Sequence, residues 1–555
     1  MINQPPGRNA NRPTEVGRYT DRYTRYYPIF VTFLFACGLA YEPLYHIIRG
    51  SLQYSIIPQD DFYYYYLTSK HFALTGFSSF DGIVPTNGYH PLWMLIIAAL
   101  SFLMRGNDAG TFVWIEVIQV LSCVVTAWLA LRLFRELYGD QKWVPVIAML
   151  VSLFLSVLVF LGMETVVAIP LYLLFIRATM RALNSANGPA SALLCGITGT
   201  FLFLARLDTL LALGIVFLLF LFYRAGSKKV WLYLAGLIPI IGYFLLNHFV
   251  FGNWMPVSAQ VKELRGGLHF SIRPIEVIRT PRGSLYFLLT LAGFILTLVR
   301  LRRNDVRSGM RWFLFAFPLL FALVLALRLS WSVYVWYFYP FPISAGAALF
   351  EIQAWMHPRW KSRIDRLAIP GLAFILVATT IILRRDISGL TTHLNLDQAS
   401  TQAQPNIYTH AMGIKAFTDT HPGRYAMGDR SGLTAFLTGR PILQLEGLAS
   451  DQTLVDSIAA RADLLTVLRN YGVHYYIVSY PLREFHEHNG HWDLYEPHQQ
   501  EVLPGTPLMH SKFYAPEVFR FPYPVGAKLT AQDSANFVTR ILDISQARPD
   551  TSETN

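Results

Sequence analysis

Cysteine is nearly absent: three in 555 residues, Cys37, Cys123 and Cys195, each inside an apolar run. No disulfide framework can be built from them, and small buried thiols are the default reading. Charge is scarce too, at 15% of residues against 53% hydrophobic, which excludes an ordinary soluble enzyme. His71 and His90 stand without metal-ligand spacing, which argues against a zinc site. Gly428-Asp429-Arg430-Ser431-Gly432 lacks the full glycine fingerprint of a phosphate-binding turn and reads as a plain turn. The polar, basic stretch 1–25 has neither the apolar core nor the small-residue cleavage site of a signal peptide. No internal repeat is visible.

What the chain does have is apolar length. Runs of about 18 residues or more recur through its first two thirds, as in a polytopic all-α membrane protein. The candidate spans are 27–48, 112–131, 143–161, 166–183, 189–206, 209–223, 230–251, 284–300, 312–329, 333–355 and 367–383, about eleven helices. The formal charge of +11 does not point to nucleic acid, because the Lys and Arg cluster in short inter-helix loops, as the positive-inside rule expects. Arg22 and Arg25 put the N-terminus inside. Alternation then puts the basic groups at 132–142, 177–181, 224–229, 300–311 and 359–366 inside as well, five loops agreeing in sign. Counting the short run 90–104 as a crossing would invert all later loops, so it reads as a re-entrant or surface-lying helix within a first external loop, 49–111.

The expected organisation is a cytoplasmic segment 1–26, a membrane domain 27–384, an extracytoplasmic α/β domain 385–547 and a disordered tail 548–555. The α/β reading rests on strand patterns at 424–428, 441–445 and 474–479, and helix patterns at 431–438 and 454–471. Residues 386–405 read as a polar linker.

Polar residues collect at the external ends, while the helix midpoints carry almost none. Asp60-Asp61, then Phe62 and Tyr63 to Tyr66, follow the first span. A carboxylate pair at a bilayer surface is costly to desolvate, so it points to function. The second external loop, Gly162-Met163-Glu164-Thr165, holds an acid; the third holds Arg206 and Asp208; the fourth holds Lys262; the fifth begins at Arg328 and runs into aromatics, Tyr334 to Tyr339. This converging set fits a site at the outer membrane surface better than a conduction path. Plainer readings stand beside it: Glu164 solvated or favouring the helix it precedes, Arg206 and Asp208 a structural ion pair, and Tyr63 to Tyr66 an interfacial aromatic belt.

Four motifs in order, Gln59-Asp60-Asp61, Gly162-Met163-Glu164-Thr165, Ala205-Arg206-Leu207-Asp208 and Gly252-Asn253-Trp254-Met255-Pro256-Val257-Ser258 through Lys262, resemble the GT-C superfamily of integral-membrane glycosyltransferases. More closely, they are similar to its mycobacterial arabinofuranosyltransferase-like branch. The likeness covers roughly the first 270 residues, and this chain has Arg-Leu-Asp where that branch tends to have Arg-Pro-acid. The resemblance implies a GT-C fold and inverting transfer of a sugar, a pentose such as arabinofuranose among the options, from a polyprenyl-phosphate donor. The acceptor would be an extracytoplasmic glycan, lipid or protein, and the location a bacterial inner membrane. It implies a catalytic base at Asp60 or Asp61, donor-phosphate binding by Lys262, Arg206 and Arg328, and substrate contacts from Glu164, Asp208, Tyr63, His90 and Trp93. Some members use a divalent cation, Mg or Mn; Asp61 and Glu164 are the candidate ligands, and the sequence leaves the cation open. A transporter or a lipid or glycan flippase is the alternative. It would want polar groups or broken helices at the midplane and repeated halves, for which Pro170, Pro239 and Pro318 leave some room. A non-enzymatic anchored partner protein would not need eleven helices.

Overall fold

In a bilayer, apolar runs of this length satisfy their backbone as helices, and the structure, a computed structural model, builds helices over them. It describes residues 15–50, 59–223, 227–300, 305–356, 370, 407–488, 490–499, 502–523, 525 and 537–550. Among the described residues, six helices are long and apolar enough to cross a membrane: Tyr26–Ile48, Asp108–Tyr138, Thr165–Leu183, Val230–Phe251, Pro281–Leu298 and Val306–Arg328. Trp143–Val159, Ala190–Ala205 and Leu207–Phe222 are shorter apolar helices. The candidate span 367–383 lies outside the described residues. Burial separates an inner set from an outer one. In the most apolar 18-residue stretch of Asp108–Tyr138, Thr165–Leu183 and Val306–Arg328, 56%, 67% and 61% of residues are buried, against 17% in Val230–Phe251 and Pro281–Leu298.

Of two expected elements, the first is the short helix read for it and the second takes a different form. The run at 90–104 is the helix Pro91–Leu103, whose 13 residues reach about 20 Å, short of a hydrocarbon core of about 30 Å. It lies mainly against helix Asp60–Thr75. The expected span 333–355 is helical only over Pro340–Trp355, because Pro340 and Pro342 fit the first turn of a helix and not its interior. Ahead of it the aromatic segment forms the 3₁₀ turn Val335–Phe338.

The C-terminal part is an α/β domain. Strands β1 (Tyr425–Met427), β2 (Ile442–Gln444), β3 (Tyr475–Pro481), β4 (His486–His488), β5 (His491–Glu496), β6 (Met509–Tyr514), β7 (Glu517–Phe521), β8 (Phe537–Asp543) and β9 (Arg548–Pro549) form two sheets. In the first, β2-β1-β3-β8-β7, β1 runs parallel to β2 and β3 and the remainder is antiparallel. The second, β4-β5-β6-β9, is antiparallel throughout. The pattern 454–471 is not one helix. It breaks into Gln452–Ala459 and Leu464–Asn470, because Arg461 turns left-handed (φ 54) and Asp463 caps the second helix on Thr466. The tail boundary also moves. Arg548 and Pro549 pair with Tyr514 and Phe513, so the domain continues past 547.

This domain sits on one end of the helices through several contacts distant in sequence. Leu503 donates its amide to Ser330 (2.8 Å), Arg273 donates to the Val502 carbonyl (2.8 Å), and Arg424 pairs with Asp81 (3.0 Å). At Gly88 the backbone comes so close that a Cβ would lie 1.9 Å from the Leu448 carbonyl oxygen.

Candidate active site

Helix Asp60–Thr75 sets the geometry. At 3.6 residues per turn, Asp61, Tyr64, Tyr65 and Thr68 share one face, and all four line a cavity of ≈ 870 Å³. Phe62, Tyr63 and Tyr66 take another face and join Phe112 and Phe436 in a ring cluster. The tyrosine run is therefore not an interfacial belt, since all four rings are buried.

The two aspartates diverge. Both Asp60 oxygens accept backbone N–H bonds, from Gly432 at 3.1 Å and Leu433 at 2.7 Å. Asp61 lines the cavity and, among the described residues, accepts no hydrogen bond. Burial raises its carboxyl to about 7; Lys262 opposes the rise, and Asp60, Asp429 and Glu164 add to it.

Opposite Asp61 the other motifs converge. Glu164 accepts from Tyr65 (3.1 Å) and from Arg206. Arg206 also grips Asp208, and its guanidinium stacks 4.3 Å from the Tyr337 ring. His90 accepts the Leu207 amide on Nδ1 (3.2 Å), which leaves the neutral ring's proton on Nε2, 3.9 Å from Glu164. Burial lowers the pKa of this histidine. Lys262 donates to the Tyr337 hydroxyl at 3.0 Å and forms no ion pair among the described residues. Burial works against its charge, but Tyr337, Asp61 and Glu164 hold its pKa above the ordinary value. Arg328 stands exposed at the rim of the cavity and pairs with Glu263 at 2.7 Å.

Asp61, Glu164, Asp208, His90, Lys262 and Arg328 thus meet around one cavity, and Tyr63, Trp93 and Arg206 do not line it. Tyr63 packs in the ring cluster. Trp93 is buried and donates its indole N–H to the Gly162 carbonyl (2.9 Å), which fixes the turn carrying Glu164. Arg206, away from the cavity lining, is fully buried and paired with two carboxylates, Glu164 and Asp208. Sequence reading passed over Tyr65 and Tyr337. Helical spacing from Asp61 pointed to Tyr65; Tyr337 lies in an irregular segment whose periodicity gives no such signal.

Away from this polar end the cavity continues between two helices. Leu210, Leu211, Phe217 and Leu218 face Leu320, Phe321 and Val324 across it. A divalent cation fits the donors poorly. Both Glu164 oxygens are engaged, and no group of three or more His, Cys, Asp or Glu suited to a metal occurs among the described residues.

No family model and no curated protein matches the chain. Among solved structures, it is similar to the archaeal oligosaccharyltransferase AglB from Archaeoglobus fulgidus in complex with an inhibitory peptide and a dolichol-phosphate. That alignment covers 89% of this chain and 77% of AglB, with 11% identity and a TM-score of 0.50. A second A. fulgidus oligosaccharyltransferase structure, with Zn and sulfate, aligns over 82% of this chain and 68% of its own, at 12% identity and TM-score 0.48. A third, tethered to an acceptor peptide containing the NVT sequon, aligns over 89% and 76%, at 11% and 0.48. Identity this low speaks for fold alone. The chain has a GT-C fold like that of AglB, joined to a C-terminal α/β domain, as its sequence led one to expect. The arabinofuranosyltransferase-like branch is not singled out.

Proposed function

We propose that the protein is an inverting glycosyltransferase that moves a sugar from a polyprenyl-phosphate donor to an extracytoplasmic glycan, lipid or protein. The observation that carries this reading is the two-part cavity: at one end the Asp61 carboxylate, which accepts no hydrogen bond among the described residues, and the Lys262 ammonium, which forms no ion pair among them and donates to Tyr337; at the other an apolar slot between helices. An isoprenoid chain suits the slot and its phosphate suits the lysine. The dolichol-phosphate bound by AglB supports the same class of donor.

In this reading the acceptor hydroxyl attacks the anomeric carbon from the face opposite the phosphate. The new C–O bond forms as the bond to the phosphate oxygen breaks, so the configuration inverts. Asp61 takes the hydroxyl proton. Polyprenyl phosphate leaves with its charge facing Lys262, with Arg328 at the rim. Glu164 and Asp208, held by Arg206, and His90 orient the sugar. The resemblance to the arabinofuranosyltransferase-like branch favours a pentose. The charged loops favour an inner-membrane protein with its N-terminus cytoplasmic and the cavity and C-terminal domain outside.

The test is to incubate purified protein with a panel of synthetic polyprenyl-phosphate sugars and membrane extract as acceptor source. Released polyprenyl phosphate and product anomeric configuration are then followed by mass spectrometry and NMR. The expected result is release from one donor with inversion. No release from any donor, with donor instead crossing the bilayer of reconstituted vesicles, would favour a flippase.

A further inference from the structure

We infer that Asp60 is a positioning residue: from the membrane domain it caps helix Ser431–Thr438 of the C-terminal domain and so holds that domain over the cavity. Only its kinetic consequence rests on the transfer reaction proposed above.

The helix lacks a cap of its own. Its N-cap residue, Arg430, adopts a left-handed backbone (φ 65), makes no side-chain cap bond and lies over the Phe537 ring at 3.9 Å. The first amides of a helix need acceptors. Here Gly432 and Leu433 find them in the two oxygens of Asp60, more than 370 residues away in sequence. A carboxylate is also the group that the positive end of a helix favours. The approach requires glycine at 432, where a Cβ would stand 2.5 Å from the Asp60 carbonyl oxygen.

Neighbouring contacts reinforce the seat. The Tyr64 and Ser431 hydroxyls lie 3.2 Å apart, and Phe436 meets the rings of Tyr63 and Tyr66 at 5.1 and 5.6 Å. Asp60 does not line the cavity, but its chain neighbour does, so pinning Asp60 also fixes the direction in which Asp61 points. The domain held in this way supplies Leu448 and Ala449 to the cavity wall. The adjacent carboxylates thereby divide two tasks, one joining domains and one meeting the substrate.

Hydrogen exchange of the full-length protein in lipid nanodiscs reads the clamp without any reaction. Asp60→Ala is expected to speed exchange across residues 431–438 by roughly five- to tenfold. Asp60→Asn, which keeps one acceptor oxygen, should do so less, and Asp61→Asn should not do so at all. With the synthetic polyprenyl-phosphate sugar that the wild type turns over, Asp60→Ala should lower kcat about tenfold or more and leave donor KM unchanged, because the apolar slot is untouched. Asp60→Asn should recover most of that loss. The inference is overturned by wild-type exchange in Asp60→Ala, by faster exchange with unchanged kcat, or by transfer abolished in Asp60→Asn with wild-type exchange. If Asp60→Ala does not fold, Asp60→Asn carries both readouts. If Asp61→Asn transfers like the wild type, the base assignment fails while the exchange result still decides the clamp.

Discussion

At the residue scale, the proposed chemistry turns on how Asp61 is surrounded. It is buried beside other acids, with Lys262 as the offsetting charge, and its carboxyl rises to about 7. A base must be deprotonated to act, so the raised pKa moves the working range upward. Transfer by the wild type should climb as pH rises through about 7 and fall away below it, read as kcat against pH at saturating donor. An acid limb near the ordinary carboxylate value, about 4, would place the base elsewhere. The sequence located both aspartates and could not divide them, because the amides that occupy Asp60 belong to the first turn of a distant helix, Ser431–Thr438. The same holds for Arg206. Its role as an ion-pair partner was one of two readings in the sequence, and only burial against both Glu164 and Asp208 separates them.

At the scale of elements, the apolar slot lies between helices Leu207–Phe222 and Val306–Arg328. Gly214 lines it, and a Cβ built there meets nothing within 4 Å. Gly214→Ala should be silent. Gly214→Phe should project into the slot and raise donor KM at least about tenfold with little change in kcat; an unchanged KM would show that the lipid chain lies elsewhere. Most of these helices were legible from length and hydropathy, since a bilayer leaves an apolar run few alternatives. Elements decided by local backbone were not. The irregular stretch before Pro340 and the break at Arg461 interrupt hydrophobic patterns that read as continuous. The antiparallel strands of the second sheet carry mixed patterns and escaped notice entirely.

At the scale of the whole molecule, the cavity is completed by a domain that the chain reaches only after 407. Much of this docking is backbone on backbone, as where Gly88 meets Leu448, and such contacts leave no trace in residue type beyond a glycine. Gly88→Ala should therefore force the two parts apart, costing about 1–3 kcal/mol. A thermal or denaturant melt of the purified protein measures the loss, and unaltered stability would mean the domain is not seated there.

The central claim is that Asp61 is the base of a transfer reaction, and rates of polyprenyl phosphate release by wild type and Asp61→Asn, at one donor and one pH, test it most directly. The account predicts release at least about a hundredfold slower in Asp61→Asn, with the protein folded and donor still bound. Equal rates would contradict it.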